Sequence, residues 1–340
     1  MILFDAVFVN NGGAKILLDL LLNDLNKSNT EIFYLLDKRV NGSYKFLKNE
    51  KVIFISGSLI SRHFFYLKNA TKFRKVFVFG NIPPTIYLRN TQVYTYFHNV
   101  LLLEKIYWYK FSNIFLNLKS FIFKYFKKNT NFWLVQTNLV KRNLKQCLTI
   151  NDAEILLYPI FNENYFFNNK IRNTIPKDGI IKYLYVSEGY YYKGHINLIK
   201  AFIKYNDLYP DTNLILTVSD KYYNHLDSFT QVKQKKFIIN KGLLDQYELK
   251  QEYEKANIFI FPSLFESFGL GLIEAALSKL PILASDLEYV FEVIQPTLVF
   301  NPTIIDDIYF VLIKSREHID EYSPLLIKNN LKNITKLILE

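Results

Sequence analysis

Cysteine is almost missing from these 340 residues: Cys147 stands alone, so no disulfide forms within the chain and a disulfide-stapled scaffold is excluded. Also missing is any uncharged apolar stretch of about 18 residues, the length a spanning helix needs, because Lys, Arg, Asp or Glu interrupts each candidate. The start, Met1-Ile2-Leu3-Phe4-Asp5-Ala6-Val7-Phe8, lacks a basic leader and carries an acid in its short apolar run, and it reads as a first β-strand and not as a signal peptide. A cytoplasmic chain is expected, or one peripheral on the inner face of the cell membrane. There is no D-x-D, no Cys/His cluster at ligand spacing and no G-x-G-x-x-G. A metal-bridged diphosphate, a zinc site and a nicotinamide cofactor are therefore unsupported, and neither a metal nor a cofactor is expected.

What is present is apolar and aromatic. At 50% hydrophobic and 21% charged, the chain gains enough from burial to offset its ordering entropy, which excludes disorder. Its length favours two domains at roughly 100–200 residues each. Aromatics make up 17%, from 30 Phe, 25 Tyr and 2 Trp, beside a net charge of +11. That excess suits nucleic acid, an anionic membrane or an acidic small molecule. Nucleic acid rests on charge alone, with no recognised motif, and is not expected as a partner.

Short β-rich runs alternate with helical patterns, the signature of parallel α/β architecture with both sheet faces covered. Strands are predicted at Ile2 to Phe8, Glu31 to Leu36, Val52 to Ser56, Val76 to Phe79, Val93 to Phe97 and Phe132 to Gln136. The second half offers Ile181 to Val186, Leu214 to Val218, Phe237 to Ile239, Ile258 to Phe261, Ile282 to Ala284 and Leu298 to Phe300. The expected organisation is an acceptor-side domain over 1–160, a linker over 161–179, a donor domain over 180–320, and a helix over 321–340 free to return to the first domain. Two doubly wound sheets facing each other would place a ligand at the carboxyl ends of their strands.

The most informative segment is Phe261-Pro-Ser-Leu-Phe-Glu266-Ser-Phe-Gly269-Leu-Gly271-Leu-Ile-Glu274. A strand ends at Pro262 and a helix starts near Gly269, so the free N–H groups of its first turn form an anion site made of backbone. Glu266 and Glu274 are acceptor-only groups suited to the cis-diols of a ribose or a hexose. Read from spacing alone, they are equally ordinary helix-start acids.

This segment resembles the E-x7-E signature of GT-B fold retaining glycosyltransferases of family 4 (glycosyl transferases group 1), with Pro281-Ile-Leu-Ala-Ser-Asp286 behind it. The resemblance implies a nucleotide diphosphate sugar as donor, Glu274 on its ribose, Glu266 on the sugar hydroxyls, and the backbone of Phe268, Gly269, Leu270 and Gly271 on the sugar and pyrophosphate. It also implies transfer of a hexose with retention, without metal. The stretch Tyr183 to His195 resembles the family's "GR…KG" segment and assigns Lys193 to the diphosphate, where a lone lysine would otherwise read as a solvated loop residue. Glu188 stands where the arginine is usual. That departure points to the alternative, a catalytically weak GT-B-like module that binds sugar nucleotide or membrane. Ile239 to Gly242 resembles the loop that contacts the base.

In the first half, Asn10-Asn11-Gly12-Gly13-Ala14 leads from the first strand into a helix predicted over Lys15 to Leu25. A Gly pair permits a tight strand-to-helix passage, and the resemblance brings Gly12 and Gly13 to the donor diphosphate and acceptor. His98 ends a parallel strand. With Phe79 to Pro84, Tyr94 to Leu103 and Trp133 to Asn138 it is similar to a subgroup used in bacterial surface-polysaccharide assembly, which makes His98 a catalytic candidate beside Glu266 and Lys193. The implied acceptor is a saccharide or lipid-linked saccharide. Between Lys105 and Lys128 stand six lysines, nine aromatics and no acid. As a helix, this segment puts Asn113, Asn117, Ser120, Lys124, Lys127 and Lys128 on one face and Ile114, Phe115, Leu118, Phe121, Ile122 and Tyr125 on the other. It packs on its own domain or lies against an anionic membrane.

Overall fold

A computed structural model describes residues 1–47, 51–103, 114–163 and 179–340. The chain divides into two compact units, Met1–Phe161 with Lys328–Glu340, and Asn162–Ile327.

The first unit runs β1 (Ile2–Ala6), α1 (Gly12–Leu25), β2 (Ile32–Asp37), β3 (Val52–Ile55), α2 (Leu59–Asn69), β4 (Lys75–Phe79), β5 (Gln92–Tyr96), α3 (Ile114–Tyr125), β6 (Phe132–Val135), α4 (Asn138–Leu148) and β7 (Ile155–Leu157). Its strands form one sheet in the order β3-β2-β1-β4-β5-β6-β7, with every pairing parallel. The second runs β8 (Ile181–Tyr185), α5 (His195–Leu208), β9 (Thr212–Leu216), α6 (Asp220–Thr230), β10 (Ile238–Asn240), α7 (Gln246–Lys255), β11 (Ile258–Phe261), α8 (Leu270–Leu277), β12 (Ile282–Ser285), α9 (Glu288–Phe291), β13 (Leu298–Phe300) and α10 (Ile305–Lys314). Its parallel sheet has the order β10-β9-β8-β11-β12-β13. Both orders reverse direction beside the first strand, at β1/β4 and at β8/β11, as in a Rossmann-like domain. A last helix, α11 (Leu331–Leu339), belongs to the first unit and packs on α1. There Thr335 donates to Asp24 Oδ2 at 2.8 Å, and Lys75 Nζ donates to the Leu337 carbonyl at 2.7 Å.

The strands read as continuous apolar runs because helices cover both faces of each sheet. β1 is buried throughout, even at Asp5. That carboxylate accepts from Arg62 Nε at 2.7 Å and from the Tyr66 hydroxyl at 2.5 Å, both on α2, and Arg62 Nη1 donates to the Pro83 carbonyl at 2.8 Å. A buried charge survives only with such partners. The three-residue strand β7 has no counterpart in the sequence reading, since Ile-Leu-Leu ahead of Pro159 is too short to show a period. α1 begins at Gly12, three residues before the predicted start, with Asn11 as its N-cap.

Candidate active site

In the second sheet β8 and β11 lie side by side at the point where strand order reverses, and the loops leaving their carboxyl ends carry Lys193 and Glu266. The two side chains meet: Lys193 Nζ lies 2.5 Å from Glu266 Oε1, with only 14% and 12% of the side chains exposed. The cation also sits over the Tyr192 ring, 5.4 Å from its centre. Three bonds fix the backbones beneath this pair. Leu264 N–H donates to the Tyr192 carbonyl at 2.8 Å, the Tyr185 hydroxyl to the Lys193 carbonyl at 2.6 Å, and the Tyr289 hydroxyl to the Ser263 carbonyl at 2.6 Å.

Gly194, at φ +72°, follows the lysine, and a Cβ there would lie 2.3 Å from the Pro262 carbonyl oxygen. Backbone cannot give way as a side chain can, so the Lys193 and Glu266 loops approach this closely only across a glycine. Gly194→Ala should therefore cost roughly 3 kcal/mol, read as a lowered denaturation midpoint, and should disturb the ion pair.

α8 opens at Gly269, which takes φ +72° as its N-cap, so the N–H groups of Leu270 and Gly271 lie in a first turn that has no intrahelical acceptors. Phe268 is buried ahead of it. Glu274 lies within α8, where it is buried and accepts from the Tyr253 hydroxyl at 2.9 Å. Burial pushes its carboxyl up to about 7, against the pull of that hydrogen bond. Tyr253 escaped the sequence reading. It is the buried residue of α7, a helix of mostly polar residues.

His195, two residues after Lys193, is buried against Tyr185, 4.8 Å between ring centres, with Nε2 3.0 Å from Ser187 Oγ. Burial, and then the Lys193 charge, lower its pKa to about 3, so it packs the lysine loop as a neutral ring. Glu188 lies in the same loop, where its carbonyl accepts from Tyr190 N–H at 3.1 Å.

The other candidates lie in the first unit. Gly12 and Gly13 form the first turn of α1 beyond β1. His98 follows β5 and its backbone N–H donates to Asn81 Oδ1 at 2.8 Å, which turns the Asn81 amide nitrogen toward His98 Nε2 at 3.1 Å. Nε2 is thus the acceptor and Nδ1 carries the hydrogen. That Nδ1 is buried without a hydrogen-bond partner among the described residues, as is Nε2 of Gln136. The β5/β6 register, Tyr96 opposite Leu134, continues to set His98 beside Gln136 at the carboxyl ends of neighbouring strands. Burial lowers the His98 pKa to about 4, so the ring is neutral at pH 7. Buried unmatched donors cost stability and suit a ligand that supplies acceptors. Gln136 was legible only as part of a similar segment, since its neighbour on the next strand is set by register.

Of the basic aromatic segment, residues 104–113, Asn113 among them, lie outside the described residues. α3 packs on the sheet through Phe123, which is fully buried, with Leu116, Ile122 and Phe126. Ser120 donates to the Leu102 carbonyl at 2.7 Å, and Lys127 Nζ is bonded to the Leu148 carbonyl. Two members of the expected polar face thus turn inward, while Leu118, Phe121 and Tyr125 are exposed. Among the described residues no helix is long and apolar enough to cross a membrane, and no group of three or more His, Cys, Asp or Glu is placed to hold a metal ion.

Residues 167–307 match the family described as Glycosyl transferases group 1. That span contains Lys193, Glu266 and Glu274. Over 222 residues the chain is 24% identical to an uncharacterized glycosyltransferase of Methanocaldococcus jannaschii, covering 62% of this chain and 50% of that protein. The chain spans about half the length of this curated relative. Two solved structures share the architecture across all of the chain. Anabaena HepE in complex with UDP and glucose superposes with a TM-score of 0.69 at 12% identity, covering 100% of this chain and 95% of that one. Sucrose-phosphate synthase of Thermosynechococcus elongatus gives 0.74 at 15%, covering 100% and 94%. The fold is α/β GT-B, with two Rossmann-like domains.

Proposed function

We propose that this chain is a retaining hexosyltransferase. It takes a hexose from a nucleotide diphosphate sugar to a hydroxyl of a saccharide or lipid-linked saccharide, in bacterial cell-surface polysaccharide or glycolipid assembly. It works in the cytoplasm or on the inner face of the cell membrane, without metal or cofactor. The observation that carries this reading is the Lys193–Glu266 pair at the strand-order reversal, one loop from the start of the helix that carries Glu274. The group 1 match over these residues supports it, as does the complex of HepE with UDP and glucose.

Lys193 and the first-turn N–H groups of α8 take the diphosphate, replacing water with fixed positive charge where the leaving group gains negative charge. Glu266, released from Lys193, accepts from sugar hydroxyls, and Glu274 accepts from the ribose diol. The bond from the anomeric carbon to the β-phosphate oxygen breaks, the acceptor oxygen bonds to that carbon on the same face, and its proton passes to the departing phosphate. No protein nucleophile is needed, so catalysis is positioning and electrostatics. The family resemblance assigns His98 to the sugar, and Gly12 and Gly13 to the diphosphate; within the first unit the groups that would serve are the Nδ1–H of the neutral His98 ring and the backbone N–H groups at the start of α1.

UDP-, GDP- and dTDP-sugars should be screened by thermal shift. One nucleotide class is expected to raise the melting point, since a ligand at 100 times its Kd adds about 2.7 kcal/mol. No shift with any of them, together with no sugar transfer, would overturn the assignment.

A further inference from the structure

We infer that the outer surface of α2 and α3 docks the first unit onto an anionic lipid bilayer. Both helices lie on the same side of the sheet. Leu59 of α2 and Leu116, Ile122 and Phe123 of α3 pack in one core with Phe97, Trp133 and Val135. Each carries an apolar stripe among its outward positions. On α2 Ile60, Phe64 and Leu67 are 69%, 56% and 54% exposed, at the spacing of one helical stripe, while Arg62, Phe65 and Tyr66 point inward. On α3 the stripe is Leu118, Phe121 and Tyr125, at 54%, 66% and 71%.

α4, which packs in the same core, shows the usual alternative. Its exposed positions are Asn138, Arg142, Lys145 and Gln146, the ordinary face of a solvated helix. Two neighbouring helices that both break that pattern make a patch rather than scattered apolar residues. The loop between them fixes its shape. Pro83 accepts from Arg62 and Thr85 meets His63 Nδ1 at 3.0 Å on the α2 side, while the Pro84 carbonyl accepts from Asn129 at 2.8 Å just beyond α3.

Charge selects the occupant. Between Lys51 and Asn151 sixteen Lys and Arg stand against a single acid, Glu104, so this stretch alone carries more positive charge than the whole chain's net +11. Lys68, Lys119, Lys124 and Lys128 are exposed on or beside the two stripes. A second copy would bring like charge against like charge. Nucleic acid would answer the lysines but leave Ile60, Leu67 and Leu118 in water. An anionic leaflet answers both, with lysines at the headgroups and the apolar stripes at the acyl boundary.

This docking deepens the proposed inner-face location and rests on that reading there; because it needs no donor, its failure would leave the transfer chemistry to be judged by the nucleotide-sugar screen alone. The test is sedimentation of the full chain with phosphatidylcholine vesicles, with and without phosphatidylglycerol. Binding is expected only with the anionic lipid, and to weaken with salt. Phe64→Ser/Phe121→Ser/Tyr125→Ser should weaken it about tenfold or more with the melting point unchanged, because all three side chains are already exposed. Lys68→Glu/Lys124→Glu should weaken it as well. Equal binding by the triple-serine chain, no binding to anionic vesicles, or binding to a DNA duplex in preference to vesicles would each overturn the inference.

Discussion

Lys193→Ala is expected to lower kcat for sugar transfer by on the order of 10²–10³, the usual effect of deleting one group that stabilises a departing anion. Glu266→Ala should lose activity comparably. The two losses should not add, because in the resting protein each side chain is the other's partner at 2.5 Å. Stability should follow a different pattern. Either single variant leaves a mostly buried charge alone, at a cost of about 1–3 kcal/mol, whereas Lys193→Met/Glu266→Gln leaves none and should recover much of that. A chain with restored stability and unrestored activity separates chemistry from packing. The pair also makes Glu266 a competitor for Lys193 when no sugar is present. Glu266→Gln should therefore bind the nucleoside diphosphate at least as tightly as the native chain while transferring sugar poorly. Isothermal titration against coupled turnover measures both, and full activity in Lys193→Ala would exclude the proposed role.

That pairing also marks where the sequence stops being informative. The parallel strands were legible because a strand buried on both faces is a short run of Ile, Leu, Val and Phe, as in Ile258 to Phe261, fully buried in the sheet. Gly269 and Glu274 were legible because a helix start and its anion site are local. Lys193 and Glu266 are 73 positions apart, and only the adjacency of β8 and β11 brings them together. His98 and Gln136 are likewise neighbours through strand register, and their unmatched nitrogens follow from burial that composition does not encode. Tyr253 was hidden by its own helix, where Tyr247, Leu249 and Tyr253 among Gln, Glu and Lys are too few to show a period. On α3 the sequence has apolar residues on two sides; packing chose Phe123 for the core and left Leu118, Phe121 and Tyr125 outside.

Glu274→Gln is expected to make the protein more stable at pH 8 and nearly useless as a donor binder. The native carboxyl titrates at about 7 against an ordinary 4.5, because burial penalises its charged form. A carboxyl raised by folding favours the folded state while protonated. Its contribution is full below pH 4.5 and is lost as pH climbs through 7, a change of about 3 kcal/mol. Glutamine has the same shape, can still accept from the Tyr253 hydroxyl, and never ionises, so the variant should keep that stability at pH 8 and match the native chain near pH 4.5. A ribose diol reverses the preference. Two hydroxyls donate best to an ionised carboxylate, each such bond contributing about 1.5–3 kcal/mol, and the amide offers them one acceptor already engaged by Tyr253. Native donor affinity should then rise about tenfold from pH 6 to pH 8 as Glu274 ionises, while that of Glu274→Gln stays low and flat. Melting curves and nucleotide titrations across this range test both halves. A pH-independent native affinity would place the ribose elsewhere, and an unchanged melting point for Glu274→Gln at pH 8 would mean that water reaches the carboxylate.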